Sequence, residues 1–336
     1  MKVDGGLPFE LEKAAGAAKE AEGRGYDAVW SVETSHDPFF PLLLAAGATE
    51  HVELGTGIAV AFARSPMTLA NIGYDLQRYS GGRFILGLGS QIKPHIEKRF
   101  SMPWSHPAAR MKELISAIKA IWAAWDSGDK LDFRGDFYTH TLMTPFFNPG
   151  PNPAGRARIF LAAVGERMTE VAGEVADGML CHAFTTETYL REVTVPALER
   201  GLAASGRTLD DFEISGPAFV VTGTTEEEVA EADANVRRQI AFYGSTPAYR
   251  PVLDLHGWGD LQTELNGLSK QGKWQEMGEL IDDDVLGAFA IVAEPEEIGP
   301  KLSDRYGDVV DRISFYAPFR SDPDRWTRVM AALKAA

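Results

Sequence analysis

The sequence predicts an α/β protein closed into an eight-stranded parallel (β/α)8 TIM barrel with insertions. Three observations predict it. Short apolar runs alternate with longer stretches of helical periodicity, the pattern of βα units that feed a parallel sheet. Eight such runs can be counted, which favours a closed barrel over a doubly wound sheet. The chain has 336 residues, beyond the roughly 250 of a minimal barrel, so insertions have room.

In order, Lys2-Val3-Asp4 reads as strand one. A helix over Phe9 to Arg24 follows, with Gly23 and Gly25 where it should stop. Tyr26 to Val32, Val52 to Val60 and Arg83 to Leu88 read as strands two, three and four. Ala108 to Trp125 is amphipathic at helical spacing, and Asp132 to Ala157, rich in Pro, Gly, Asn and aromatics, reads as a long ordered loop. Arg158 to Ala163 is strand five, Arg167 to Val175 a helix, Asp177 to Cys181 strand six and Glu213 to Thr222 strand seven. Thr224-Thr225 caps a helix over Glu226 to Ala241, with Glu227 and Glu228 favourably in its first turn. The rhythm breaks at about 243–284, read as an insertion within a single domain spanning 1–336. Leu286 to Val292 and a helix over Pro295 to Tyr306 restore the barrel, Arg312 to Tyr316 is strand eight, and Asp324 to Lys334 is the closing helix.

Composition narrows the function. The apolar share is 45% and the charged share 24%, ordinary for a globular chain. A net charge of −15 with no cationic run disfavours nucleic-acid and membrane-surface partners and leaves a small molecule as the expected one. The single cysteine, Cys181, excludes an internal disulfide and suits a cytoplasmic setting. The start lacks an apolar signal region, and Pro38 to Ala48 is too short to span a bilayer. No ligand spacing suggests a metal, and no Gly-x-Ser-x-Gly elbow is present.

In a barrel, chemistry sits at the carboxyl ends of the strands. There, Glu33, His36, His95 and His182 are titratable groups able to move protons, and each could equally be a hydrogen-bonded loop residue. Leu54-Gly55-Thr56-Gly57-Ile58-Ala59-Val60 carries two glycines inside a strand, which marks a bulge or a close approach of backbone. Such a bulge could support the face of a tricyclic ring. Ser80 to Ser90 is dense in glycine but is neither a Walker loop nor a Rossmann fingerprint. Ala163-Val164-Gly165-Glu166-Arg167 runs from a strand end through a glycine into a helix start. Amides there can hold a phosphate, and Arg167 could add a cation, although a plain βα turn has the same look.

Together, Val29-Trp30-Ser31-Val32-Glu33, Leu54-Gly55-Thr56-Gly57-Ile58, Arg64-Ser65-Pro66, Gly82 to Gly89 and Ala162-Ala163-Val164-Gly165 resemble the luciferase-like monooxygenase superfamily, along the whole chain apart from the insertion. Within it the chain is most similar to the oxidoreductases that use the deazaflavin coenzyme F420. The resemblance implies a non-prolyl cis peptide at Gly57-Ile58 behind the deazaflavin ring, with Val60 beside it. It puts a polar pair on Glu33 and Thr34, unlike the Asp-His pair of the sugar-phosphate dehydrogenases, with His36 two residues on. It assigns cofactor contacts to Ser90, Gln91, Ile92 and His95, where Ile92 replaces an acidic group of those enzymes. It maps the phosphate turn to Ala163, Val164, Gly165, Glu166 and Arg167. The implied reaction is hydride transfer between C5 of the deazaflavin and a small organic substrate, with Glu33, His36 and His95 as the polar groups near the ring. FMN-dependent oxygenation and non-catalytic binding of a flavin or deazaflavin are the alternatives. A homodimer is the assembly the family implies.

Overall fold

The computed structural model describes residues 1–319 and 322–335. The fold is a (β/α)8 barrel, and the pairings between its described strands are parallel. The chain falls into two compact units.

The larger unit comprises 4–180 and 197–213. Its strand order runs from Lys2–Gly6 through Ala28–Ser31, Glu53–Thr56, Phe84–Gly89 and Arg158–Ala163 to Gly178–Cys181. Helices follow the strands at Leu11–Arg24, Phe39–Ala48, Pro66–Tyr79, Pro107–Ser127 and Glu166–Val175. The first stops at Gly25, whose φ of 87° is left-handed and whose N–H bonds the carbonyls of Ala21 and Glu22. Pro66–Tyr79 is opened by Ser65, whose hydroxyl accepts from Thr68 N, with Pro66 at the first helical position.

Strand three is bulged. Leu54 and Gly55 pair with Phe84 and Ile85, but Ala59 and Val60 pair with Leu88 and Gly89, so the register slips by one residue across Thr56–Ile58. The Thr56 hydroxyl repairs the ladder at the slip. It donates to Gly87 O at 2.7 Å and accepts from Gly87 N at 2.9 Å. Gly87 has no room for a side chain, since a Cβ would lie 1.8 Å from Thr56 O. Gly55 likewise clears space for Trp30, whose Nε1 donates to Asp4 Oδ2 at 2.9 Å.

The smaller unit comprises 1–3, 181–196 and 214–336. Its long strand Glu213–Val221 pairs with Arg312–Tyr316 along its first half and with a ninth short strand, Ala290–Val292, along its end. Phe184, Phe219, Phe289, Val236, Ile240, Leu253 and Leu265 build its buried core. Each fully buried side chain of this size contributes about 1.5–3 kcal/mol. Region 243–284 consists of a short turn at Pro247–Tyr249 and helices Arg250–Leu255, Gly259–Lys270 and Trp274–Glu279.

Several segments differ from the sequence reading, among them helices Phe39–Ala48 and Pro66–Tyr79, where no element was expected. Leu286 to Phe289 belongs to a helix, Asp283–Phe289, because Asp282 caps it by accepting from Val285 N at 2.9 Å; only Ala290–Val292 is strand. The expected loop 132–157 contains a hairpin, Phe133–Arg134 against Thr139–His140. Glu113 anchors its turn, its carboxylate accepting the amides of Asp136, Phe137 and Tyr138 at 2.6–2.9 Å. Glu187 to Ala204 is helical, with a π-helical turn at Leu190–Thr194, where no element was expected.

Candidate functional site

In the larger unit, the carboxyl end of strand three meets the residue that follows strand two. The Gly57–Ile58 peptide is cis, the conformation implied for that position. Gly57 N donates to Ser31 O at 2.8 Å, and Glu33 N donates to Ile58 O at 3.3 Å. The buried Glu33 carboxylate then turns back on the same segment. Its Oε2 accepts from Val60 N at 2.7 Å and from the Arg64 guanidinium at 2.7 Å. Arg64 also donates to Val60 O at 3.2 Å and to Asp37 at 3.1 Å, and lies 5.3 Å above the Phe39 ring. Glu33 therefore brackets Ile58-Ala59-Val60 from both sides, and Arg64 locks the bracket. Charge-assisted bonds of this kind are about twice as strong as neutral ones. The second carboxylate oxygen, Oε1, accepts no hydrogen bond from a described residue.

The neighbouring residues extend this group. Val60 pairs with Gly89, so Ser90 and Gln91 leave strand four beside the bulge. Gln91 is left-handed, with φ 59°, and its side-chain oxygen accepts from Ile92 N at 3.0 Å. Ser90 Oγ donates to Gln91 O at 3.1 Å. Ile92 is 54% exposed. His95 is exposed on the short helix Lys93–Lys98. The Thr34 carbonyl accepts from Arg99, while the Thr34 side chain is exposed. His36 is exposed too, its ring 6.1 Å from Phe9. Among the described residues no hydrogen bond links either imidazole to Glu33. The structure thus brings together Glu33, Gly57, Ile58 and Val60, with Ser90 adjacent, and leaves His36 and His95 outside that hydrogen-bonded group.

Ala163 ends strand five and Val164 leads to Gly165, which precedes helix Glu166–Val175. No side chain caps that helix, and a Cβ on Gly165 would meet nothing within 4 Å. The charges behind the turn neutralise one another. Arg167 donates to Glu170 at 2.7 Å and to Glu174 at 3.3 Å, and Arg200 donates to Glu170 at 2.9 Å and to Glu166 at 3.0 Å. Arg167, then Arg200, hold the Glu170 carboxyl below its ordinary range. Arg167 is tied into this network, so the turn offers amides more than a free cation.

The smaller unit holds a second polar group. His182 follows strand six, and its Nδ1 accepts from Phe184 N at 3.0 Å. Its Nε2 lies 3.2 Å from the Tyr249 hydroxyl. Burial pushes its pKa down to about 4. Burial also pushes the adjacent Cys181 thiol up to about 12, which leaves it unreactive. Among the described residues no cluster of His, Cys, Asp and Glu could hold a metal, and no helix is long and apolar enough to cross a membrane.

Sequence reasoning found Glu33 from its position at a strand end. It missed the roles of Arg64 and Tyr249, whose partners lie 31 and 67 residues away along the chain. Arg64-Ser65-Pro66 gave the only signal for the first, and nothing local marked the second.

An uncharacterized protein of Mycobacterium tuberculosis is 59% identical over 313 residues, covering 93% of this chain and 92% of that one. The 5,10-methylenetetrahydromethanopterin reductase of Methanolobus tindarius is 28% identical over 298 residues, covering 87% and 86%. The solved coenzyme F420 dependent tetrahydromethanopterin reductase of Methanopyrus kandleri superimposes with a TM-score of 0.78 at 22% identity, covering 98% of this chain and 96% of that one, a likeness of fold. The family described as luciferase-like monooxygenase matches residues 2–312. With nearly the whole barrel so matched, the chain belongs to the luciferase-like monooxygenase family.

Proposed function

We propose that the protein is an F420-dependent oxidoreductase that moves a hydride between C5 of the deazaflavin and a small organic substrate. One observation carries the reading. The Glu33 carboxylate is fixed through Oε2 beside the Gly57–Ile58 turn, while its Oε1 is left without a partner among the described residues. An ionised oxygen held in this way suits an N–H at the pyrimidine end of a flavin-like ring. The open, uncapped turn at Gly165 suits a phosphate, as helix N-termini do. The residues present therefore fit such a coenzyme. Bound there, it would supply the hydride chemistry.

The chain's own part is positional. Glu33 and Arg64 hold the backbone of Ile58–Val60, and Ser90 and Gln91 border it. Val164, Gly165 and Glu166 would receive the phosphate end. The exposed imidazoles of His36 and His95 remain candidates for exchanging a proton with solvent during turnover. A cytoplasmic homodimer is part of the same proposal, and a monomeric mass by light scattering refutes the dimer.

The reading is tested by titrating the purified protein with oxidised F420 and, separately, with FMN, following ring fluorescence. Tight F420 binding with weak FMN binding is expected. Preference for FMN transfers the protein to the oxygenase branch of its family, and binding of neither overturns the reading.

A further inference from the structure

Within the larger unit, the segment 148–157 that leads into strand five is tied to two helices in different ways. Four hydrogen bonds join it to Pro66–Tyr79. The Tyr74 hydroxyl donates to Pro149 O at 3.4 Å, Asn152 Nδ2 donates to Tyr74 O at 2.9 Å, and Gln77 Nε2 donates to Ala154 O at 3.3 Å and to Arg156 O at 3.2 Å. Helix Pro107–Ser127 is joined to it at the surface, where Arg156 Nε donates to Asp126 Oδ2 at 2.6 Å.

Where these three elements meet there is a cavity of about 10 Å³, lined by Tyr74, Trp122, Trp125, Asp126, Asn152 and Arg156. Trp125 is only 2% exposed, and its indole Nε1 is buried with no acceptor among the described residues. The neighbouring Trp122 gives its own N–H to Ala70 O at 3.0 Å. A buried donor left unpaired loses its hydration with nothing in return, which is why such groups are rare.

The size and lining of the cavity select what fills it. Its volume is about the least that takes one water and leaves no room for an organic molecule. A buried water also needs two to four polar partners. The lining offers the Trp125 N–H as donor and three oxygens with a lone pair to spare. Asp126 Oδ1 is open because Arg156 engages Oδ2. Asn152 Oδ1 accepts from Ala154 N at 3.0 Å and can accept once more. The Tyr74 hydroxyl donates to Pro149 O, so its oxygen is available as an acceptor.

We propose that this cavity is a binding site for a single ordered water, which accepts the Trp125 N–H, donates to oxygens of the lining, and fastens segment 148–157 to helix Pro107–Ser127 from the inside. The site is independent of the cofactor and the reaction. It explains why an indole rather than a phenyl ring stands at 125 in an otherwise closed aromatic contact, where Trp125 and Tyr74 meet at 5.6 Å and 85°.

The test is nuclear magnetic resonance of the nitrogen-labelled protein, with water as the probe. The Trp125 indole signal is identified by its loss in Trp125→Phe. In the wild type it should show a cross-relaxation peak with a water that stays bound for longer than nanoseconds. Absence of that peak overturns the site, as does an indole proton moved strongly upfield, the sign of an N–H aimed at the Tyr74 ring instead. The fastening is read by native-state trypsin cleavage after Arg156, followed by mass spectrometry. Trp125→Phe should raise that rate about five- to tenfold, the loss of one hydrogen bond, and an unchanged rate refutes the fastening. If Trp125→Phe does not fold, proton contacts with the Tyr74 ring identify the wild-type signal, and the water peak alone decides.

Discussion

Replacing Arg64 by Met tests whether the Glu33 bracket is a structural lock. Met keeps the aliphatic stem and removes the guanidinium. The ion pair is well buried, with Arg64 and Glu33 side chains only 14% and 5% exposed. Breaking a buried pair by removing one partner costs about 3–5 kcal/mol, because the remaining charge is left uncompensated. Two features shift that figure. Val60 N–H still solvates Glu33, which reduces the loss. The lost contact with Phe39 adds about 0.5–1 kcal/mol, and the more exposed bond to Asp37 adds less than about 1. The expected cost is about 2–4 kcal/mol in urea unfolding at pH 7. Glu33→Gln removes the charge that Arg64 compensates, so the double variant should fall short of the summed single losses by about 1–3 kcal/mol. A loss below about 1 kcal/mol for Arg64→Met, or additivity within about 0.5, refutes the lock.

Three further outcomes follow from particular side chains. Glu33→Gln keeps an amide oxygen for Val60 and Arg64 but turns the open Oε1 into an N–H2 group, so F420 binding should weaken about ten- to a hundredfold by fluorescence titration while the fold persists. Gly201→Ala should destabilise by about 1–3 kcal/mol, since a Cβ there would lie 2.0 Å from Glu170 O, whereas Gly16→Ala, inside an exposed helix face with nothing within 4 Å, should stabilise by about 0.5–1; thermal melts with opposite shifts are the check. His182 has a folded pKa of about 4, below its ordinary value of 6.5, so the unfolded chain binds the extra proton as pH falls. Its contribution, on the order of 3 kcal/mol, is present above pH 6.5 and lost progressively towards pH 4, and His182→Phe should flatten the difference in urea stability between pH 6.5 and 5.

What could be read from the sequence was whatever its local pattern determines. Strand five matches its expected span, Arg158–Ala163, because its buried run is bounded by a polar loop and a glycine turn. The two glycines of strand three signalled the bulge, and the register slip at Thr56–Ile58 is that bulge. Leu286–Phe289 was missed because a short buried apolar run looks the same in a strand and a helix, and the cap that decides it is a single side chain. The 133–140 hairpin was missed because its turn is held by Glu113, more than twenty residues upstream. The candidate site follows the same rule. Glu33 was visible as a polar residue at a strand end, but its lock is a long-range partner, and His36 and His95, chosen for their residue type, are exposed.

The repair at the bulge also limits how the protein can evolve. The Thr56 hydroxyl serves both the N–H and the C=O of Gly87, so an isosteric valine would strand two buried polar groups at about 1–3 kcal/mol each. No change at 87 can compensate, because any side chain there collides with the Thr56 carbonyl. Only serine could stand in at 56. Lineages that retain the bend should therefore keep the hydroxyl at 56 and the bare backbone at 87 together.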